Sequence, residues 1–258
     1  MRTLAVIPAR LASTRLPRKV LREIAGRPML AWVVQAARSC TQLEDVVVAT
    51  DSAEVEELCR AQGWAVVMTS AALPSGSDRV YAVAQTAEYS GAEIYLNLQA
   101  DEPLLGSAHI AALLVPFERE EVEAATLKVP CPIAEIQNPN VVKVVAAIDG
   151  RALYFSRAAI PYDRDGVGRP VWKHLGLYAY RAAALRRFHS LEPSSLETTE
   201  KLEQLRLLEN GLSLYVAEAP CDTIGVDTEE DLRAVERVLE SRLKDFERRT
   251  AGAGLPAR

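Results

Sequence analysis

The organisation of the chain starts from residues 5–19, which read AVIPARLASTRLPRK. Residues 4–7 are apolar and predict a buried strand of a parallel sheet, which stops at Pro8 because proline cannot donate a ladder hydrogen bond. Four cations follow within this stretch, Arg10, Arg15, Arg18 and Lys19, and no acidic residue occurs before position 23. Open α/β sheets bind ligands beyond the carboxyl ends of their strands, so cations there, beside the Ser13 and Thr14 hydroxyls, suit a polyphosphate. The alternative is a solvated basic loop.

The composition is typical of a globular protein, with 258 residues, 49% of them hydrophobic and 25% charged. This length accommodates one large α/β domain or two small ones. The net charge of -5 argues against a general nucleic-acid-binding surface. The basic loop therefore stands out against an acidic background, as a local attractor for an anion would.

The expected location is the cytoplasm. The start of the chain has no secretory signal, because the uncharged run between Arg2 and Pro8 is too short, and no run of about eighteen apolar residues predicts a membrane span. Cysteines occur without Cys-x-x-Cys spacing, at Cys40, Cys59, Cys131 and Cys221. We expect them to be buried thiols in a reducing compartment.

The first half of the chain alternates between strand and helix signals. Strand patterns occur at residues 46–49, 65–68 and 94–98, and helical patterns between them begin near Pro28 and Ser52. Such alternation predicts parallel strands joined by right-handed crossovers.

The second half contains more strands and several predicted turns. The dipeptide Asp149-Gly150 predicts a hairpin between strand patterns at residues 141–148 and 152–155. One amphipathic helix is predicted over residues 196–210, and Thr228 is expected to cap a last long helix, with Asp231 completing the capping box.

The fold class predicted from these patterns is α/β, with a mixed, mostly parallel sheet flanked by helices. Residues 1–248 are expected to form a single domain, because no repeat, low-complexity segment or linker interrupts them. Residues 249–258 are small, polar or Pro/Gly-rich, and we expect a disordered tail.

A carboxylate follows one of the predicted strands directly. Asp101 comes just after the strand pattern at residues 94–98, in a sheet whose first loop is expected to bind phosphate. An acidic side chain at that edge is suitably placed to hold a divalent cation. The alternative, which would be favoured if the residue stood alone, is an aspartate that caps a helix or a turn.

The chain resembles a known family over nearly its whole length. The first loop is similar to the signature P-A-R-x-x-S-x-R-x-P-x-K of sugar nucleotidyltransferases, matching it at Pro8, Ala9, Arg10, Ser13, Arg15, Pro17 and Lys19. Further matching blocks follow in order, at Ser75-Gly76, Gln99, Asp101-Glu102-Pro103, Arg157, His174, Tyr178, Glu203-Gln204 and Asp227. With these blocks the chain resembles the 3-deoxy-manno-octulosonate cytidylyltransferase family.

The resemblance implies a fold, a reaction and partners. It implies a glycosyltransferase-A-like nucleotidyltransferase domain that joins CTP to the sugar acid 3-deoxy-manno-octulosonate (Kdo). The expected products are CMP-Kdo and pyrophosphate, for lipopolysaccharide biosynthesis. It also implies Mg²⁺ as cofactor and a homodimer, with neither nucleic acid nor a membrane span involved.

The resemblance also assigns roles to residues. The catalytic residues would be Arg10, Lys19, Asp101 and Asp227, of which Asp101 and Asp227, each following a predicted strand, would bind the metal. The nucleotide would contact Pro8, Arg10, Ser13, Arg15, Lys19, Ser75, Gly76 and Gln99. The sugar acid would contact Arg157, His174, Tyr178, Glu203 and Gln204. For the sugar-side residues the alternatives are a structural histidine, a core tyrosine and a solvated helix face.

The chain departs from the family pattern at several positions. Arg18 replaces a glycine, Ala100 replaces the glycine before the metal-binding aspartate, and Ser70 and Leu73 replace an arginine and a histidine. Arg18 is therefore a candidate to restore part of the lost positive charge at the nucleotide; the alternative is that Arg18 points to water and CTP binds more weakly. The alternatives to Kdo cytidylyl transfer are a related sugar acid, such as sialic acid or an amino variant of Kdo, and an inactive nucleotide-binding homologue.

Overall fold

The computed structural model describes residues 1–11 and 15–252, without the side chains of residues 245–247 and 249–252. The described strands are β1 (Thr3–Pro8), β2 (Glu23–Ile24), β3 (Arg27–Pro28), β4 (Asp45–Thr50), β5 (Ala65–Met68), β6 (Ile94–Asn97), β7 (Ala124–Pro130), β8 (Lys143–Ala146), β9 (Ala152–Ser156), β10 (Trp172–Arg181) and β11 (Leu214–Glu218). The described α-helices are α1 (Met29–Arg38), α2 (Ala53–Ala61), α3 (Gly76–Ala84), α4 (Ser107–Leu114), α5 (Ala182–Ser190), α6 (Ser195–Glu200), α7 (Gln204–Glu209) and α8 (Glu229–Gly252).

Nine strands of the described chain form one mixed sheet. Its main path has the order β11-β7-β10-β6-β1-β4-β5, and β8 and β9 extend it beside β10. Along this path only β10 runs against its neighbours, because β1 pairs in parallel with β4 and β6, β4 with β5, and β7 with β11. The predicted α/β class with a mixed, mostly parallel sheet is confirmed.

The core forms two apolar layers, one on each face of the sheet. Every residue of β1 is buried, as the continuous apolar run predicts for a central parallel strand. Ala5 and Ile7 belong to one layer, which includes α1 and α4, and Leu4 and Val6 belong to the other, which includes α3, α5 and α7. Alternate side chains of one strand therefore hold helices on both faces.

A third, smaller apolar cluster joins segments that lie far apart in the sequence. Leu16 comes from the first loop, Leu104 from the segment after β6, and Val226 from the segment before α8, and α8 adds Leu232 and Val235. All five side chains are buried. This cluster packs α8 against the first loop, so it sets where residues 15–19, 101 and 227 lie relative to one another.

Most predicted element boundaries agree with the structure within two or three residues. Ser52 caps α2 by accepting from the Val55 N–H, and Thr228 forms the predicted capping box with Asp231. Strands β8 and β9 form the predicted hairpin through Asp149-Gly150.

The single helix predicted over residues 196–210 is wrong, since the segment forms α6 and α7 separated by Lys201, whose φ of 55° is left-handed. The break has a tertiary cause. The Arg157 guanidinium donates hydrogen bonds to the carbonyls of Glu200 and Lys201, and the Glu200 carboxylate accepts one from the Ser156 hydroxyl. Contacts to the end of β9 therefore stop a helix that apolar periodicity alone would continue.

Helix α8 continues to Gly252, so residues 249–252, assigned by prediction to a tail, are helical, and residues 253–258 lie outside the described residues. No helix within the described ranges combines the length and the apolar character that crossing a membrane requires.

Candidate active site

A cleft opens at the carboxyl ends of β1 and β6. Its volume is about 450 Å³. It is lined by Pro8, Arg10, Arg15, Lys19, Val20, Pro74, Ser75, Gly76, Gln99, Ala100, Asp101 and Asp227. Every residue predicted to contact the nucleotide lies here except Ser13, which falls outside the described residues. The sequence argument from the end of the first strand therefore locates the cleft.

One ammonium joins the two predicted metal ligands in this cleft. Lys19 Nζ donates to Asp101 Oδ2 at 2.6 Å and to Asp227 Oδ1 at 3.0 Å, and Arg15 pairs with Asp227 Oδ2 at 2.9 Å. Burial lowers the pKa of Lys19, but the carboxylates of Asp101 and Asp227 outweigh that effect and raise it above its usual value. Lys19 is therefore charged, and the cleft holds fixed charges of both signs.

Asp101 and Asp227 arrive from different directions. Asp101 follows β6 after a short turn, as predicted, whereas Asp227 lies well beyond the end of β11 and directly before α8. The prediction that Asp227 follows a strand is therefore wrong. The Val226 N–H donates to the Asp101 carbonyl at 2.9 Å, and the buried Val226 side chain anchors the segment in the third apolar cluster. This anchoring brings the second carboxylate to the first.

Glu102 lies between the segments that carry Asp101 and Asp227, and the sequence predicted no role for it. Its carboxyl is buried, and Oε2 has no hydrogen-bond partner among the described residues. Burial, with a smaller effect of Asp101, raises the pKa of Glu102 to about 7. A Cβ at Gly225 would lie only 3.2 Å from Glu102 Oε1, so Gly225 lets the segment carrying Asp227 approach closely. In the sequence, the sign of a role for Glu102 is its position next to Asp101, a candidate metal ligand.

The donor set fits a divalent cation bound partly by the nucleotide. Carboxylate oxygens of Asp101 and Asp227 already converge on one cationic nitrogen, and hard oxygen ligands suit Mg²⁺. Within the described ranges no group of three or more His, Cys, Asp or Glu residues could hold a metal. Two protein carboxylates completed by phosphate oxygens and water are usual for Mg²⁺ at nucleotide sites.

Three of the predicted sugar-side residues, His174, Tyr178 and Glu203, lie near one another and form a second polar cluster beside the cleft. Tyr178 of β10 pairs in register with Asn97 of β6, the strand that leads to Gln99 and Asp101. His174 lies on the same strand as Tyr178, with the two ring centroids 5.5 Å apart. The structure therefore brings this part of the predicted sugar site next to the nucleotide cleft.

His174 is a buried neutral imidazole. Burial lowers the pKa of His174 to about 3. Its Nε2 lies 2.8 Å from Thr126 Oγ1, and that hydroxyl lies 2.7 Å from the Leu177 carbonyl. Since a hydroxyl has one proton and Leu177 can only accept, Thr126 accepts the Nε2–H. His174 therefore offers an unprotonated Nδ1 as a hydrogen-bond acceptor.

Glu203 and Gln204 begin α7 on the sugar side. Burial raises the pKa of Glu203, against the opposing effect of a hydrogen bond from Ser77. Gln204 is buried, and its Nε2 has no partner among the described residues. A buried amide donor without a partner is costly in a folded protein, and a ligand that accepts its hydrogen bond would relieve that cost.

Arg157 lies in different surroundings. Its guanidinium donates to the carbonyls of Glu200 at 2.7 Å, Pro139 at 3.0 Å and Lys201 at 3.4 Å. Lys143, which the sequence argument gave no role, is fully buried and donates to three carbonyls, including that of Arg157 at 2.7 Å. These cations connect β8, β9 and α6, and a direct contact of Arg157 with the sugar acid stays a prediction.

Comparison with known proteins identifies the family. Residues 4–218 match the family model described as cytidylyltransferase. The 3-deoxy-manno-octulosonate cytidylyltransferase of Acidobacterium capsulatum is 62% identical, over 95% of this chain and 99% of that protein. That of Koribacter versatilis is 54% identical, over 94% of this chain and 92% of that protein. The chain belongs to the 3-deoxy-manno-octulosonate cytidylyltransferase family.

A solved structure supports the same assignment. CMP:2-keto-3-deoxy-manno-octonic acid synthetase, complexed with CTP, superposes with a TM-score of 0.89 at 37% identity. The match covers 94% of this chain and all of that one. The resemblance stated from the sequence, the fold class and the nucleotidyltransferase class are thereby confirmed.

The departures from the cytidylyltransferase pattern lie in different places. Ala100 lines the cleft, whereas Ser70, Leu73 and Arg18 are not among its lining residues. Arg18 has a φ of 57°, a left-handed value that explains the family's glycine, and its guanidinium pairs with Glu54 of α2. The pairing of Arg18 with Glu54 and its place outside the cleft lining argue against the hypothesis that it restores positive charge at the nucleotide, which stays untested.

Proposed function

We propose that this chain transfers CMP from CTP to the anomeric hydroxyl of Kdo and releases pyrophosphate, for lipopolysaccharide biosynthesis. The observation that carries the proposal is the contact of Lys19 Nζ with both Asp101 and Asp227 on the wall of the cleft. The family assignment and the CTP complex of the structural relative support the same reaction.

The cations of the first loop would hold the triphosphate. Arg10, Arg15 and Lys19 all face the cleft, and a guanidinium can grip a phosphate through two N–H groups. Arg15 and Lys19 are now paired with carboxylates, so triphosphate binding would exchange these contacts for phosphate contacts. This exchange would free the Asp101 and Asp227 oxygens for a metal ion.

Mg²⁺ is the proposed cofactor, and Asp101 and Asp227 are its proposed protein ligands. When bound it would neutralise charge on phosphate oxygens and increase the acidity of the attacking hydroxyl. The residues would then position the reactants for in-line displacement. The sugar oxygen bonds to the α-phosphorus, the bond from that phosphorus to the β-phosphate oxygen breaks, pyrophosphate leaves, and the hydroxyl proton passes to solvent.

The second cluster would recognise the sugar acid. His174 Nδ1 can accept from a sugar hydroxyl, and Gln204 Nε2 can donate to a sugar oxygen. Tyr178 and Glu203 add further hydrogen-bonding groups, while Arg157 contributes positive charge near an anionic substrate. Orientation of the acceptor hydroxyl is the main task of this side.

Pyrophosphate release across a panel of nucleotides and sugar acids tests the proposal. The panel pairs CTP and UTP with Kdo, amino-Kdo and sialic acid, with Mg²⁺ or with a chelator. We expect CTP and Kdo with Mg²⁺ to be fastest, and Lys19→Met to lose about a hundredfold in turnover. Arg22→Met is the matched control, because Arg22 pairs with Glu229 outside the cleft. Faster turnover of another sugar acid, or no turnover at all, contradicts the proposal.

A homodimer in the cytoplasm completes the proposal. Large apolar side chains are exposed between residues 133 and 167, among them Ile133, Ile148, Tyr162 and Val167. A second copy of the chain would cover some of these exposed side chains. Light scattering on the purified protein should give twice the mass of one chain, and Ile148→Ser should shift it toward the monomer; a monomeric wild type contradicts this part.

A further inference from the structure

A hydrogen-bonded chain lies behind the N-terminal end of α3. Ser75 caps the helix, and its Oγ accepts from the Asp78 N–H at 3.1 Å while its hydroxyl donates to Asp78 Oδ2 at 2.8 Å. The other carboxylate oxygen, Asp78 Oδ1, lies 3.0 Å from His189 Nδ1 at the end of α5. The His189 ring stacks on Tyr81 at a centroid distance of 3.9 Å, which fixes its orientation.

Ser75 belongs both to this chain and to the nucleotide cleft. A hydroxyl has one proton and two lone pairs, and here Asp78 takes the proton and fills one lone pair. If the Ser75 hydroxyl turned its proton toward the cleft, Ser75 Oγ and Asp78 Oδ2 would lie 2.8 Å apart with no hydrogen between them, and the two oxygens would repel. Toward a ligand, Ser75 Oγ is thus available as an acceptor.

Both carboxylate oxygens of Asp78 are held in place by direct contacts, Oδ2 by Ser75 and Oδ1 by His189. Asp78 contacts His189, whose ring is stacked on Tyr81, and Asp78 acts to raise the pKa of Arg206 of α7. Glu203 opposes these groups, because Asp78 acts to raise the pKa of Glu203. The donor contacts from Ser75 and His189 are direct and hold both oxygens of the carboxylate.

We infer that Asp78 and His189 are positioning residues that make Ser75 a specificity-determining acceptor for a hydrogen-bond donor of the nucleotide. Within the proposed CTP site, such a donor is the 4-amino group of cytosine or a ribose hydroxyl. Uracil carries a carbonyl oxygen in place of the amino group, and two acceptors facing each other repel. This inference rests on the proposed function and assigns part of its nucleotide selectivity.

The test compares CTP, UTP, 2′-deoxy-CTP and 3′-deoxy-CTP as ligands by titration calorimetry, without sugar acid. Asp78→Asn and Ser75→Ala should weaken CTP binding about tenfold. If cytosine supplies the donor, the CTP-to-UTP affinity ratio falls; if the ribose does, the ratio of CTP to one deoxy analogue falls. His189→Phe keeps the stack on Tyr81 and removes the hydrogen bond, so it should act in the same direction more weakly, and His189→Gln should restore part of the effect.

A cap variant outside the cleft separates selectivity from helix stability. Ser52 caps α2 in the same way and does not line the cleft, so Ser52→Ala should lower the melting temperature and leave every affinity ratio unchanged. Folded Asp78→Asn and Ser75→Ala proteins that keep all wild-type ratios would overturn the inference. Direct binding keeps this outcome distinct from failure of the proposed function, which appears as absent pyrophosphate release in the wild type.

Discussion

The two sides of the candidate active site hold polar groups in opposite ways. On the nucleotide side, Arg15 and Asp227 form an ion pair and are substantially exposed, with side-chain exposures of 67% and 44%. On the sugar side, His174 and Gln204 are buried, at 8% and 4% exposure, and are uncharged. The first arrangement suits a ligand that brings several charges, and the second suits one recognised by the direction of its hydrogen bonds.

The difference extends to how cations are satisfied. Lys19 is held by two carboxylates that neutralise it, so its charge is available only when a ligand replaces them. Arg157 and Lys143 donate instead to backbone carbonyls, which satisfy the hydrogen-bond donors without cancelling the charge. The Glu200 carboxylate lies beside these cations and accepts from the Arg157 backbone N–H, so on the sugar side the guanidinium of Arg157 is bonded to carbonyls and the carboxylate to other groups.

The largest expected effect comes from removing a carboxylate on the charged side. Asp101→Asn and Asp227→Asn should each lower turnover about a thousandfold, because the shape is kept while the charge that would bind Mg²⁺ is lost. Pyrophosphate release measures the loss, and circular dichroism should show an unchanged fold. Asp222→Asn is the matched control on the same segment, since Asp222 pairs with Lys173 outside the cleft. Substantial turnover in Asp227→Asn would contradict a shared metal site.

A smaller and more selective effect is expected on the buried side. Gln204→Met replaces an unpartnered buried amide by an apolar side chain of similar length. The Michaelis constant for Kdo should rise about tenfold while that for CTP stays the same, because one donor to the sugar is lost. The melting temperature should change little, since the Nε2 donor has no partner to lose among the described residues. A fall in stability with unchanged Kdo affinity would make Gln204 structural.

The pH dependence of stability should report the neutral histidine. The pKa of His174 falls to about 3 on folding from an unfolded value of about 6.5, so the unfolded chain binds more protons between these values. The stabilisation that comes from keeping His174 neutral is fully present above pH 6.5 and is lost as the pH falls. The free energy of unfolding then decreases by up to about 1.4 kcal/mol per pH unit.

His174→Asn should flatten the decline in unfolding free energy between about pH 6.5 and 5. Urea unfolding at several pH values measures it. Burial also lowers the pKa of His109, so part of the decline should persist in the variant. A variant that loses stability on acidification as steeply as the wild type would contradict the assignment to His174.

The smallest effect is expected at Arg18, which lies outside both sides. Arg18→Gly removes a non-glycine residue in the left-handed conformation, which costs about 1 kcal/mol of folding stability. It also removes an exposed ion pair with Glu54, which contributes about half of that or less. The melting temperature should rise by a few degrees at most, and the Michaelis constant for CTP should not change. Glu54→Gln, which removes only the pair, is the control. A marked loss of CTP affinity in Arg18→Gly would return Arg18 to the nucleotide site.

The sequence by itself determined the local elements and the chemistry of the first loop. A short continuous apolar run that ends at a proline favours a buried strand, and caps such as Ser52 and Thr228 act within one turn of chain. The loop after β1 is basic wherever the rest of the chain lies, so the part of the cleft lining that this loop supplies could be predicted from order and composition, whereas Ser75, Gly76 and Gln99 were expected only from the family resemblance. These features depend on neighbours in sequence, which the sequence displays directly.

Only the tertiary structure decided which distant groups meet. Lys19 contacts carboxylates 82 and 208 positions away, because the apolar cluster of Leu16, Leu104 and Val226 seats their segments together. Helix α6 ends where Arg157, directly after β9, donates to the Glu200 carbonyl, and these two residues lie far apart in the sequence. Periodicity and composition carry no information on such pairings, because their stability comes from burial and hydrogen bonds that exist only after the sheet has formed.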